Sequence, residues 1–66
     1  MNMGKYVGKT IDIIYIGLDE RITQRRIHVK SSVGGIVKAH CLHRNDPRTF
    51  RIENILAVKP VNQYAS

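Results

Sequence analysis

His40, Cys41 and His43 fall within four residues of one another, and Arg44, Arg48 and Arg51 follow closely, in the stretch AHCLHRNDPRTFRIENIL, residues 39 to 56. Side chains of these types at this density could hold a metal ion, pair a thiol with an imidazole for nucleophilic attack, or lay a basic surface across a small sheet. The elements that carry them decide between these chemistries. The segment 36 to 43, IVKAHCLH, reads as a strand, and adjacent strand residues point to opposite faces. His40 and Cys41 therefore cannot share a metal. Cys41 and His43 do share a face, but zinc takes four protein ligands, or three and a water, and the chain has no CxxC or HxxxH to complete the set. Cys41 also groups with apolar neighbours, where a thiol is inert. Paired carboxylates for acid–base work are absent: Asp46 sits in a turn, and Asp12 and Glu53 have no evident partner. The expectation is a protein that is not an enzyme, with no metal and no cofactor.

The basic surface is the reading left standing. The formal net charge is +6 and the sequence pI about 10.0. Residues 21 to 51 hold Arg21, Arg25, Arg26, Lys30, Lys38, Arg44, Arg48 and Arg51 against Asp46 alone. A positive potential over half of a small domain attracts phosphates, whether of nucleic acid, nucleotide or lipid headgroup.

With 66 residues the chain is a single domain with a thin core. A lone cysteine allows no internal disulfide and suits a reducing compartment, so a cytoplasmic location is expected. No apolar run nears the ~20 residues of a membrane span, and MNMGKYVGK lacks the apolar core of a signal peptide.

The pattern is all-β. Strands are expected over 9 to 17, 21 to 30, 36 to 43 and 48 to 52; residues 53 to 60 begin as a short helical turn and end as a fifth strand. Turns are expected at 18 to 20, 31 to 35 and 44 to 47, where Gly, Pro, Asn and Asp gather. Residues 1 to 8 are read as a flexible N-terminus and 61 to 66 as a C-terminal tail, leaving 9 to 60 as the domain.

Register follows from burial, because a one-residue slip exchanges the faces. A three-residue loop, Ser32 to Gly34, pairs Val29 with Val37, Ile27 with Ala39 and Arg26 with His40. A four-residue loop, Arg44 to Pro47, pairs Cys41 with Phe50, Ala39 with Ile52 and His40 with Arg51. One face then holds Ile27, Val29, Val37, Ala39, Cys41, Phe50 and Ile52. The other holds Arg26, His28, Lys30, Lys38, His40, Thr49 and Arg51, with Arg26, His40 and Arg51 in a row fit to track a phosphate backbone.

The same residues resemble the WYL domain family, small SH3-like (Sm-like) β-barrels of bacterial transcription regulators. Arg25, Ile27, the triplet Ala39-His40-Cys41, Arg44, Arg48, Phe50, Arg51, Ile52 and Ile55 stand where that family's pattern has its arginines, core positions and Ala-x-Cys. The likeness spans about residues 9 to 58. Val29 stands in place of the family's proline, Gly35-Ile36-Val37 in place of the naming triplet, and Asn54 in place of the last arginine. The resemblance implies an SH3-like barrel of about five antiparallel strands. It also implies a basic patch for single-stranded DNA or RNA or a nucleotide, carried by Arg25, Arg44, Arg48 and Arg51. By strand parity Arg25 lies on the core side and must reach solvent from a rim. Such domains are usually joined to a winged helix-turn-helix, which residues 1 to 8 cannot hold. The expectation is a short stand-alone form, working with a DNA-binding protein partner or as a homo-oligomer, or else a fragment of a longer chain or a relic that kept the fold. The full set of candidate ligand residues is Arg25, Arg26, His28, Lys38, His40, Arg44, Arg48 and Arg51. The alternative reading is a protein-interaction or oligomerisation module built on apolar residues and open strand edges.

Overall fold

The computed structural model of the protein describes residues 3 to 61. Five strands form one antiparallel sheet: β1 (Thr10–Ile16), β2 (Ile22–Val33), β3 (Ile36–Cys41), β4 (Asp46–Arg51) and β5 (Ile55–Pro60). Their order across the sheet is β4-β3-β2-β1-β5. A single 3-10 turn, Ile52–Asn54, precedes the last strand, as expected. β4 and β5 are the two edges, so the sheet is not closed into a continuous barrel. It does curl: Tyr15 of β1 meets Phe50 of β4 edge-to-face at 5.0 Å, although two strands lie between them in the sheet. The Tyr15 hydroxyl also accepts a hydrogen bond from the Arg51 amide at 3.2 Å.

Alternation along the strands builds the core. Ile11, Ile13, Ile27, Val29, Val37, Ala39, Cys41, Phe50 and Ile55 are all buried on the concave face. Ile52, expected among them, falls in the 3-10 turn and is half-buried. The packed unit reaches further toward the N-terminus than residue 9. A 3-10 turn at Gly4–Tyr6 brings Met3, 1% exposed, into the core. The expected tail from 62 onward lies outside the described residues. Among the described residues no helix is long and apolar enough to cross a membrane.

Both expected hairpin registers are corrected. Between β2 and β3 the turn is the pair Gly34-Gly35, with φ of 60° and 78°, so that Val33 faces Ile36. Two consecutive left-handed residues make the tight turn whose twist matches a hairpin, and glycine adopts both without strain. A bulge at Lys30 then resets the pairing, giving Val29–Ala39, His28–His40 and Ile27–Cys41. Between β3 and β4 the turn is residues 42 to 45, with Asn45 at φ 54°, and the ladder sets Val37 against Phe50, Ala39 against Arg48 and His40 against Pro47. Pro47 was read as a turn residue; it lies in an edge strand, where a missing N–H need not cost a ladder bond. The shifts are two and four residues. Both are even, so Arg26, Ile27, His28, Val29 and the residues of β3 and β4 keep their expected faces; between the bulge and the turn the β2–β3 shift is three.

Candidate nucleic-acid interface

The corrected register dissolves the row of Arg26, His40 and Arg51 on the convex face. Arg26 lies opposite Asp12 of β1 and forms a two-pronged ion pair with it: Nε to Oδ1 at 2.8 Å and Nη2 to Oδ2 at 3.2 Å. The hydrogen bond from Arg26 holds the Asp12 carboxyl below its ordinary 3.8, against the opposing effect of burial; the charges of Arg26, Lys59 and His43 add to the lowering. The same bond raises the Arg26 pKa. This arginine is spent on structure. His40 faces His28, and its Nε2 contacts Asn45 Oδ1 at 2.9 Å, while His28 Nδ1 contacts Thr10 Oγ1 at 3.3 Å. Lys38 lies between Ser31 and Thr49. Arg51 is opposite Ile36, four residues along β4 from the level of His40, about 13 Å at strand rise. It pairs with Glu53 at 3.5 Å. Arg44 is exposed in the turn between β3 and β4.

The structure instead gathers arginines at an open end of the concave face. Arg21, Arg25 and Arg48 line one cleft of about 330 Å³ with Tyr15, Phe50, Thr23, Thr49, Gly17 and Asp19. Two of them, Arg25 and Arg48, belong to the expected set; the expectation that Arg25 serves a rim is met. Arg25 is opposite buried Ile13, and Arg48 is opposite buried Ala39. Both start from core-facing positions and are half-buried, as long basic side chains are when the stem lies on apolar surface and the head reaches water.

Local chemistry fixes each guanidinium. The link from β1 to β2 is a tight loop in which the Gly17 amide donates to the Arg21 carbonyl at 2.9 Å and Glu20 takes φ 64°. A left-handed last residue is the usual close of a three-residue hairpin loop. Asp19 Oδ1 accepts from the Arg21 amide at 3.1 Å, and its Oδ2 lies 3.4 Å from Arg21 Nε. Arg25 Nε donates to Thr23 Oγ1 at 3.3 Å, and Arg48 Nε to Asp46 Oδ1 at 3.4 Å. Among the described residues, then, each arginine is held at Nε by the residue two places before it. The terminal nitrogens of its fork, a pair whose geometry suits phosphate oxygens, have no partner among the described residues. Tyr15, half-buried, and Phe50, 3% exposed, form the apolar floor.

Arg21, Tyr15 and Asp19 were not among the sequence candidates. The signal was present: Arg21, Thr23 and Arg25 follow one another at strand period on the face of buried Ile27. A polar run in continuation of a core stripe marks a rim. No family model, curated protein or solved structure matches the chain.

Proposed function

We propose that the chain is a WYL-like, non-enzymatic binding domain whose cleft of Arg21, Arg25 and Arg48 takes single-stranded nucleic acid or a nucleotide, in the cytoplasm and in the setting of transcription regulation. The observation that carries the binding reading is the convergence of three arginines, from the β1–β2 loop, β2 and β4, on one cleft with an aromatic floor. Two of the four positions named by resemblance, Arg25 and Arg48, line the cleft, while Arg44 and Arg51 do not. The net charge of +6 supports a polyanionic partner. Tyr15 offers ring surface to a base, a contact worth about 1–3 kcal/mol by alanine substitution.

A fluorescence-anisotropy titration with labelled oligothymidylate at two salt concentrations tests this. Replacing Arg25 and Arg48 together by Gln is expected to weaken binding and lower the salt slope by up to about 1 per lost contact. The same change at Arg26 and Arg51 should have the smaller effect. Equal binding by the parent and the Arg25/Arg48 variant would exclude the cleft.

A second reading, a protein-interaction module, has its own observation. Beyond the level of Asp12 and Lys59, the convex face near β5 carries an apolar patch, with Ile14 beside Ala57, Ile16 beside Ile22, and Ile22 and Leu56 more than half exposed. Association through that surface would be insensitive to salt.

A further inference from the structure

The cleft that carries the proposed binding is less positive than its arginines suggest. Three guanidiniums line it, but Asp19 is bonded to the first and Asp46 to the third. Arg25 is held by a neutral hydroxyl. Three cations against two carboxylates leave one net positive charge.

Resting on the cleft reading above, we infer that Asp19 and Asp46 set the charge selectivity of this site. They narrow the advantage that multiply charged phosphates of free nucleotides would otherwise hold there over the singly charged phosphodiester groups of a strand. A carboxylate near the ligand repels it in proportion to the ligand's charge. A phosphodiester carries one negative charge, and a nucleoside triphosphate carries several within the same few ångströms. The two carboxylates therefore cost a triphosphate several times what they cost a diester. Each still orients its arginine, because it occupies Nε and directs the terminal nitrogens away from itself. A neutral hydrogen-bonding group at either position would keep the orientation and remove the repulsion. Thr23 already plays that neutral part for Arg25.

The test uses the full chain with three thymidine probes: the dinucleoside monophosphate, the 5′-monophosphate and the 5′-triphosphate. Each is titrated without divalent metal and followed by amide chemical shifts. The quantity read is the ratio of triphosphate to diester affinity in the parent and in each variant. In the double variant Asp19→Asn and Asp46→Asn, triphosphate affinity is expected to rise about tenfold or more, while diester affinity changes by less than about threefold. Either single variant should give an intermediate gain. Both aspartates are at least partly exposed, so the variants are expected to fold; an amide spectrum of each confirms it. Asp variants that bind the triphosphate less tightly relative to the diester than the parent does would overturn the inference. So would variants whose affinities for all three probes change by one common factor, which is the mark of a purely structural role. The Arg25→Gln and Arg48→Gln double variant separates the two levels. If it binds every probe as the parent does, the cleft reading has failed; if it loses binding while the Asp variants leave the ratio unmoved, only the selectivity inference has.

Discussion

Single residues divide the basic set into structural and free members. Parity puts Arg26 in a phosphate row with His40 and Arg51, yet its partner is Asp12 of β1. Which strand lies beside β2 on its other side is a question of topology, and a sequence read by hairpins alone does not answer it. The pair has a pH signature. The Asp12 carboxyl is depressed in the folded protein, mainly by the Arg26 hydrogen bond. Its contribution to stability is therefore present above the ordinary value of 3.8 and is lost as pH falls through the folded value below it. Asp12→Asn is expected to melt at a lower temperature than the parent at pH 7, and the gap should narrow as pH is taken from about 5 to 2.5. A gap that stays constant over that range would show that the ion pair contributes nothing.

At the level of elements, the faces of the strands were legible and the pairings were not. Alternation placed Ile27, Val29, Val37, Ala39, Cys41 and Phe50 together, and all six are buried. Loop position is a weaker signal: Gly34-Gly35 and Asn45 fall within the expected turns, but the loops themselves are Gly34-Gly35 and residues 42 to 45 rather than Ser32 to Gly34 and Arg44 to Pro47. The bulge at Lys30 has no pattern to announce it, yet it is what allows a two-residue glycine turn and an apolar Val29–Ala39 pair to coexist. Phe50 ties the elements together. It stands opposite Val37 in the sheet and meets Tyr15 across the curled face. Phe50→Ala is expected to cost about 3–5 kcal/mol, a large part of the ~5–15 kcal/mol that holds a typical domain folded. Thermal denaturation would read it, and a variant melting within a few degrees of the parent would contradict the core assignment.

For the molecule as a whole, the charge excess of residues 21 to 51 was visible in the sequence, but its distribution over the two faces was not. Parity sent Arg26, His28, Lys38 and His40 to the convex face correctly. It could not show that curling of the sheet brings Arg48 of an edge strand toward Arg21 of the β1–β2 loop and Arg25 of the central strand, around Tyr15. The convex histidine–lysine face and the concave arginine cleft are thus two basic surfaces on opposite sides of one sheet. The central claim is that ligand binds at the second. Amide chemical shifts recorded while unlabelled oligothymidylate is added to the isotope-labelled protein locate the contact directly. The largest changes are expected at residues 17 to 25 and 48 to 50, with the amides of His28, Lys38 and His40 little moved. Changes centred on His28, Lys38 and His40, with the cleft silent, would contradict the account.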